Sequence, residues 1–371
     1  MVAGSEAALP VERPPRSEIG VIGWLHANLF SSWSNTLLTL LGLYITYYAL
    51  SGVVEWGLLR ATFSGADGGA CTRPAAGACW PYVTAKFAQF MYGRFPDEER
   101  WRVDLVYLLA LAGLIPLLIP ALPGKFWNAV YVFAVLPVLA FFLLVGGSFG
   151  LAKVDTSLWG GLLVTLVVST VGISGSFPIG IALALGRRSR MPIVRWVSVG
   201  FIEFVRGVPL ITVLFMSSVM LPLFLPKDVS FDKLVRALVG VALFAGAYMA
   251  ETIRGGLQAI PRGQFEAGQA LGLSYAQRTG LIILPQALKL VIPGIVNSFV
   301  ALFKDTSLVL IIGLFDILNI IQFNLTDAKW FANSTAITGY VFAGLIFWIF
   351  CFGMSRYSQM IERRLAAGDR R

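Results

Sequence analysis

The stretch ETIRGGLQAIPRGQFEAGQALGLSYAQRTGLIILP, residues 251–285, decides how this chain is organised. It is the longest run suited to water that lies between two strongly apolar segments, residues 234–250 and 287–312. Both flanks have the composition of membrane spans. A charged loop of this kind, about residues 254–285, suits a protein partner on the cytoplasmic side of a membrane.

Helix signals inside this loop predict a short helix from about Pro261 to Leu273. Proline is tolerated in the first turn of a helix, and Gly272 lies where a helix would end. The predicted apolar face is a narrow strip, Phe265, Ala267, Ala270 and Leu271. Such a helix suits either the membrane surface or a groove on another protein.

The same residues resemble a known family motif. Glu266-Ala267-Gly268, then Gly272, then Leu284-Pro285 is similar to the EAA loop of permease subunits of ATP-binding-cassette importers, with Gly268 where the named motif has alanine. The resemblance implies that these six residues couple the permease to its ATPase, and Pro285 is expected to restart the next span. Glu266 as a plain solvated residue remains the alternative.

Two further segments resemble the polar amino-acid branch of that family. Residues 203–210, EFVRGVPL, are similar to its FRGxPL signature, and residues 304–308, KDTSL, to another of its segments. The resemblance covers roughly residues 157–364. With the extra spans of its amino-terminal third ahead of that core, the chain is similar to the longer membrane subunit of general L-amino-acid permeases. The resemblance implies an all-α, polytopic membrane protein with a type I importer permease core.

Composition supports a membrane protein independently. Hydrophobic residues make up 57% of the chain, charged residues only 13%, and the mean hydropathy is +0.76. Too little polar surface remains to coat a soluble globule of 371 residues. The formal charge of +9 does not indicate nucleic-acid binding, since the arginines cluster at the ends of apolar segments. Three cysteines and one histidine leave almost no material for a metal site.

The distribution of basic residues sets an expected topology. The cluster Arg187, Arg188 and Arg190 is the best marker of a cytoplasmic loop. It predicts eight spans with both termini inside, in a bacterial inner membrane. The expected spans are residues 36–59, 103–122, 126–145, 157–185, 208–225, 234–253, 287–315 and 336–357. The expected domains are a cytoplasmic leader (1–35), extra spans (36–156) with a periplasmic loop at about 60–102, and the permease core (157–371).

Cys71 and Cys79 lie in that periplasmic loop. An oxidising compartment would allow them to form a disulfide, and two free thiols are the alternative.

Ionisable residues within apolar segments indicate candidate pathway residues, because charges at membrane depth cost several kcal/mol. Glu203 and Arg206 are three residues apart, as are Glu251 and Arg254, so each pair is predicted to form within one helix. The alternative to a pathway role is an ion pair that anchors the end of a span. The candidate pathway residues are Glu203, Arg206, Glu251, Asn297, Lys304, Asp305 and Thr306.

The run from Gln286 to Phe315 is too long for one straight span, and Pro293-Gly294 and residues 304–307 interrupt it. Asp305 or Thr306 is predicted to cap a second short helix. The free backbone N–H groups there, together with Lys304, would receive a substrate carboxylate. The alternative is that Lys304 and Asp305 only brace the gate or a partner permease.

The energy source is predicted to lie in another chain. No GxxxxGK[ST] motif occurs, so the sequence contains no phosphate-binding loop of that type, and it is not expected to be an enzyme. The resemblance implies an ATPase homodimer, a second shorter permease and a periplasmic amino-acid-binding protein as partners, with no cofactor. The alternative function is a secondary transporter or channel that works without ATP, which would favour ion-coupling carboxylates at the midplane and inverted repeats.

Overall fold

The computed structural model describes residues 20–119, 122–226 and 231–368. Most of the expected leader, and residues 227–230 between the expected spans 208–225 and 234–253, lie outside these residues. The described helices of the amino-terminal part are α1 (Gly20–Leu29), α2 (Trp33–Val54), α3 (Trp80–Tyr92), α4 (Arg100–Leu118), α5 (Lys125–Val130) and α6 (Leu136–Val145). The other helices are α7 (Leu162–Arg187), α8 (Pro192–Gly207), α9 (Leu210–Phe215), α10 (Lys233–Ala259), α11 (Arg262–Ala270), α12 (Tyr275–Arg278), α13 (Leu284–Leu290), α14 (Ile292–Asp305), α15 (Ile317–Asn324) and α16 (Asn333–Gly368). Strands β1 (Gly160–Gly161) and β2 (Phe315–Asp316) pair in parallel.

Within these ranges, seven helical segments are long and apolar enough to cross a membrane. They are Trp33–Leu59, Asp97–Leu118, Lys125–Val145, Leu162–Arg187, Lys233–Ala259, Ile292–Ile312 and Asn333–Leu365. A bent pair, Pro192–Gly207 with Leu210–Phe224, makes an eighth if it counts as one span. The fold is therefore an all-α membrane bundle with about eight spans, as the sequence predicts.

The bend in that pair is 108° and falls at Val208-Pro209. Proline disfavours helical backbone in the residue before it, and Val208 is extended with φ −111° and ψ 136°. The helix before the bend, α8, has a charged face and an apolar face. The short helix α9 after the bend enters the bundle, where Leu210 and Leu214 are buried.

Loops at one end of the bundle form a packed layer, which we call the disulfide layer: residues 60–99, β1, β2, α15 and residues 325–332. Cys71 and Cys79 form a disulfide in this layer, with Cα atoms 5.7 Å apart. Around it, Tyr82 and Phe90 of α3 pack against α15. The layer joins parts of the chain that lie more than two hundred residues apart, since the Cys79 backbone N–H donates to Thr338 at 2.8 Å.

The amino-terminal spans pack on the later spans through a shared apolar core. Phe95, Val103 and Leu144 belong to the same buried cluster as residues of α7 and α10. Arg102 is fully buried at this junction, where it contacts Glu99 at 3.0 Å and donates to the carbonyl of residue 152 at 3.0 Å. The first span is different: the apolar window of Trp33–Leu59 is 0% buried in the chain.

The predicted interruptions of residues 287–315 are present in a different form. The helix breaks at Val291, one residue before α14, and α14 passes directly into a seven-residue 3₁₀ segment, Thr306–Ile312. Asp305 keeps helical backbone with φ −70° and ψ −10°, and its side chain makes no capping hydrogen bond. A short helix therefore begins near the predicted position, as this 3₁₀ segment. The predicted cap is wrong, because the chain keeps helical backbone at Asp305 and the Thr306 hydroxyl donates back to the Phe303 carbonyl.

Candidate functional site

Residues 260–274 form a compact connection between α10 and α12, which we call the connecting segment. Its helix α11 begins after Pro261 and ends at Ala270, shorter than the predicted 261–273. Gly272 has φ +71°, a left-handed conformation that favours glycine, and the Leu273 N–H returns to the Gly268 carbonyl at 3.2 Å. The segment is also shorter than the expected loop of 254–285, because α10 continues to residue 259 and helix resumes at residue 275.

Three side chains hold α11 against the spans. The guanidinium of Arg188 donates to the Leu257 carbonyl at 2.9 Å and lies over the Phe265 ring at 5.5 Å. Arg278 donates to the Phe265 carbonyl at 3.4 Å, and Gln286 donates to the side chain of residue 264 at 3.2 Å. Each side chain comes from a different neighbour, so α11 is fixed to the ends of α7, α12 and α13.

Gly268 is the buried position of α11, and Arg278 lies across it. A Cβ added at Gly268 would lie 2.9 Å from Cγ and 3.0 Å from Cδ of Arg278. This close approach is a physical reason for glycine where the named motif has alanine. An alanine here requires the flexible Arg278 side chain to move.

The opposite face of α11 is uncovered. Glu266, Ala267 and Ala270 are exposed, and Leu271 is 77% exposed. The predicted four-residue apolar strip is therefore wrong in part: Phe265 packs under a guanidinium, whereas the other three residues face outward. An apolar tip beside a carboxylate, presented on a fixed helix, has the character of a protein-docking surface.

Leu284 and Pro285 lie in a helical rod rather than at the start of a span. The rod runs from residue 275 to residue 290 and contains a π-helical turn, Thr279–Ile283, just before Pro285. The wider turn accommodates proline, which has no N–H to donate. Leu284 packs on a buried cluster with Ala287, and Pro285 is exposed. The expectation that Pro285 restarts the span is wrong, since that span begins at Ile292.

An ion-pair cluster is centred on Glu251 of α10, one helix away from α11. The Glu251 carboxylate contacts Arg254 at 2.8 Å, Arg187 at 3.0 Å and Arg206 at 3.6 Å. Its side chain is only 14% exposed. Arg187 also contacts Glu203 at 2.8 Å, so the cluster joins the ends of α7, α8 and α10.

The two predicted ion pairs have different outcomes in the structure. The Glu251–Arg254 pair forms as predicted. The predicted pair between Glu203 and Arg206 does not form: Glu203 pairs with Arg187 of α7, while Arg206 reaches the Glu251 carboxylate and lies 5.5 Å from the ring centre of residue 248. The two residues contact different neighbours because other helices supply closer opposite charges.

The helices on either side of the connecting segment pack directly on each other near the cluster. A Cβ added at Gly256, just after the cluster, would lie 2.5 Å from the carbonyl oxygen of Ala287, so α10 and α13 cross in direct backbone contact. Gly294 of α14 makes a similar close approach to Thr252. α13 and α14 thus both pack closely on α10, near the cluster and next to the connecting segment.

The remaining pathway candidates lie apart from the cluster. Asn297 and Lys304 are exposed on α14, and Lys304 is about 15 Å along the helix from Gly294. Asp305 is half-buried, and the Thr306 hydroxyl donates to the carbonyl of residue 303 at 2.9 Å. The chain thus brings Glu203, Arg206 and Glu251 together and leaves the Lys304 group separate.

Sequence reasoning missed three arginines. The sequence indicates Arg187 and Arg188 only as markers of membrane orientation and does not single out Arg278, yet these three side chains make the contacts that fix the cluster and α11. Ion pairs within one helix can be predicted from the spacing of residues in the sequence. These contacts join different helices, so no spacing indicates them. Among the described residues, no group of three or more potential ligands could hold a metal ion.

The fold and this site define a membrane permease that presents a fixed helix to a partner. Residues 176–367 match the family of binding-protein-dependent transport system inner membrane components. The chain belongs to this family. It is therefore an inner-membrane subunit of an ATP-driven importer, with ATP hydrolysis in a separate subunit and a substrate-binding protein as a further partner. The secondary transporter or channel is not favoured.

Two named relatives agree with the family assignment. The chain is 53% identical over 350 residues, 93% of each chain, to the inner membrane amino-acid ABC transporter permease protein YhdY of Escherichia coli. It is 40% identical, over 96% of each chain, to the glutamate/glutamine/aspartate/asparagine transport system permease protein BztC of Rhodobacter capsulatus. A solved structure of an amino acid ABC transporter with histidines is 27% identical, covers 55% of this chain and 92% of its own, and has a TM-score of 0.48.

Proposed function

We propose that this permease carries polar L-amino acids, and that α11 is the helix through which its ATPase drives transport. The cargo class is supported by the two relatives named for amino-acid transport, one of them for acidic amino acids and their amides. The coupling role is supported by one observation above all. The helix α11 is fixed to the spans on one face and bare on the other.

The residues we assign to coupling are Glu266, Ala267, Gly268, Gly272, Leu284 and Pro285. Glu266 and Ala267 face the partner, and Gly268 lets Arg278 pack closely on the covered face of the helix. Gly272 closes the helix with a tight turn. Nucleotide-driven closure of the ATPase would then move α11 with the ends of α10 and α13, and shift the spans between inward and outward states.

We assign two roles to the pathway candidates. Glu203, Arg206 and Glu251 hold the inner ends of three spans together, so their contacts would change as the spans move. Asn297 and Lys304 offer an amide and a cation on the exposed face of α14, the chemistry that suits an amino-acid carboxylate. Asp305 and Thr306 would shape the turn beside them.

The second, shorter permease is the partner we propose for the membrane plane. The apolar window of the first span is 0% buried in its own chain, and Tyr44, Tyr47 and Tyr48 lie exposed on one face near its midpoint. Tyrosine is usual at membrane interfaces, and a hydroxyl at the midplane needs a hydrogen-bond partner. A second permease beside α2 would supply it.

We propose that both termini, the connecting segment and the Arg187 cluster are cytoplasmic, and that the disulfide layer is periplasmic. The basic residues at the end of α7 support this orientation, and so does a disulfide at the other end. Residues 1–35 would then be a leader, residues 36–156 extra spans and residues 157–371 the permease core.

Reconstitution tests the proposal. The chain would be placed in vesicles with its candidate ATPase, second permease and binding protein, and uptake of radiolabelled glutamate, glutamine and histidine measured with and without ATP. We expect uptake only with ATP and binding protein, with ATPase activity stimulated by loaded binding protein. Uptake without ATP, or driven by an ion gradient, would refute the function.

A further inference from the structure

A basic groove lies between the last turns of α16 and the end of α4, beside the amino-terminal spans. It has a volume of about 550 Å³. The lining residues that matter here are Leu118, Arg356, Tyr357, Met360, Arg363 and Arg364. The amino-acid transport proposed above does not use this groove.

The α16 residues that line the groove lie on one face of the helix because of their spacing. Gly353, Arg356, Met360, Arg363 and Arg364 fall at intervals of three, four and seven residues, so they share one face. Gly353 has no side chain and leaves an open volume at one end of the groove. Met360 and Leu118 of α4 form the apolar wall of the groove. The result is an apolar floor with three guanidinium groups along its rim.

These guanidiniums are not neutralised by acidic side chains within the described part of the chain. Arg356, Arg363 and Arg364 are exposed and take part in none of the ion pairs found there. Glu362 accepts a hydrogen bond from the hydroxyl of residue 358 at 2.8 Å instead. The ammonium of Lys125 donates to carbonyls at the end of α4.

The position of the groove along α16 matches the membrane surface. Thr338 anchors the start of α16 in the disulfide layer. Arg356 is then about 27 Å along the helix from Thr338, close to the roughly 30 Å thickness of a hydrocarbon core. Arg363 and Arg364 lie about 10 Å further. The arginines therefore lie at headgroup depth, and the apolar floor faces acyl chains.

We propose that this groove binds the phosphate headgroup of an anionic phospholipid. Basic pockets between spans hold such headgroups, because guanidinium pairs with phosphate through two parallel hydrogen bonds. Arg356 and Arg363 would bind the phosphate, and Arg364 the rest of the headgroup. An acyl chain would lie along Leu118 and Met360. The bound lipid would join the last span to the extra hairpin of α4 and α5, where the hydroxyl of residue 357 already approaches the carbonyl of residue 117 at 3.5 Å.

Lipid binding to the purified full chain tests this proposal. The probes are phosphatidylglycerol and phosphatidylcholine of identical acyl chains, titrated in neutral detergent and followed by native mass spectrometry. The test variant is Arg356→Gln/Arg363→Gln/Arg364→Gln. The matched control, Arg190→Gln/Arg195→Gln/Lys289→Gln, removes three exposed charges elsewhere on the chain.

We expect the unmodified chain and the control to bind phosphatidylglycerol at least tenfold more tightly than phosphatidylcholine, and the test variant to lose that preference. Equal binding of the two lipids by the unmodified chain would overturn the proposal. Equal loss in the control would overturn it as well, since bulk charge would then explain the preference. Full displacement by millimolar inorganic phosphate would overturn it in favour of a soluble anion. Normal lipid preference in the test variant would overturn it as well, since the three arginines would then not hold the headgroup.

Discussion

Glu251 is the residue on which the ends of α7, α8 and α10 converge, and its neutralisation is the sharpest residue-scale test. In Glu251→Gln, Arg187, Arg206 and Arg254 face one another around a neutral amide. The pairs are partly exposed, so the cost lies between that of a surface pair and a buried one, about 1–2 kcal/mol. We expect a lower melting temperature of the purified chain and reduced ATP-dependent uptake.

Glu266→Gln is the matched control for stability, because Glu266 is exposed and forms no ion pair among the described residues. It should leave the melting temperature unchanged. Adding Arg254→Gln to Glu251→Gln should recover part of the lost stability, since one of the uncompensated cations is removed. A double variant less stable than the single one would contradict this account of the cluster.

The Lys86–Asp327 ion pair of the disulfide layer predicts a pH dependence. The hydrogen bond from Lys86, at 2.6 Å, holds the pKa of Asp327 below its ordinary value. A lowered pKa in the folded state stabilises the fold above the unfolded pKa, and that stabilisation is lost as pH falls through the folded pKa. We expect the contribution to be constant at neutral pH and lost only below about pH 4. Melting curves of the unmodified chain and Asp327→Asn should differ at neutral pH and converge in acid.

Residue-scale prediction succeeds where partners are close in sequence. The Glu251–Arg254 pair is visible as a three-residue spacing, and it forms. The Glu203–Arg206 spacing is equally favourable, yet both side chains pair with other helices. Which arginine reaches which carboxylate depends on how α7, α8 and α10 meet, and local sequence does not specify that geometry.

At the scale of elements, the turn that closes α11 is the feature with the clearest test. Gly272 has φ +71° and open space around it, so a side chain there meets no atom but strains the backbone. A β-branched residue at such a position costs about 1 kcal/mol or more. We expect Gly272→Val to distort the end of α11 and to uncouple ATPase activity from uptake. The ratio of ATP hydrolysed to substrate carried measures this effect.

Gly263→Ala is the control, since Gly263 lies in α11 with open space and no left-handed backbone. It should keep the ratio of hydrolysis to uptake. If Gly272→Val also keeps that ratio, α11 is not the coupling helix.

The first span offers a second test at this scale. Its hydroxyls at Tyr44, Tyr47 and Tyr48 do not reach water from a midplane about 15 Å from either surface. Replacing all three by phenylalanine removes only the hydroxyls, and no packing within the chain depends on them. We expect about twentyfold weaker association with the proposed second permease, which corresponds to the loss of three average interhelical hydrogen bonds. Co-purification of a tagged second permease gives the readout.

Thr46→Val controls for this prediction, because Thr46 lies at the same depth on the opposite face of α2. Association should be unaffected by it. Unchanged association in the triple variant would assign this face of α2 to lipid or to another partner, while ATP-dependent uptake would still test the transport function separately.

Elements were predicted best where apolar runs are long. The spans from residue 103 to residue 145 and the last span follow from hydropathy and from the proline and glycine between them. The sequence does not indicate the π-helical turn before Pro285, or the 3₁₀ segment after Asp305. Both are tertiary adjustments, in which a proline or a packed neighbour changes the hydrogen-bond period of a helix that continues. A sequence pattern shows the interruption, but not its geometry.

At the scale of the whole molecule, the amino-terminal part is joined to the permease core rather than appended to it. Its hairpin shares a buried cluster with α7 and α10, and α3 packs on α15. Hydropathy predicted these extra spans, but the disulfide layer was predicted only as a loop. Residues more than two hundred positions apart form that layer, as in the contact between Cys79 and Thr338, and no short-range pattern encodes such contacts.

This packed interface predicts how the chain behaves when it is expressed as two separate fragments. Residues 157–371 expressed alone would expose the surface that Phe95, Val103 and Leu144 cover, and we expect this fragment to accumulate poorly in membranes. Co-expression of residues 1–156 as a separate chain should restore its accumulation and co-purify with it.

Two variants of the fragment 1–156 show whether the buried interface is responsible for that rescue. Arg102→Met should weaken the rescue, because the fully buried guanidinium joins Glu99 to the loop at Ala152. Arg73→Met, at an exposed position of the same fragment, is the control and should rescue fully. Normal accumulation and transport by residues 157–371 alone would show instead that the core folds without the amino-terminal part.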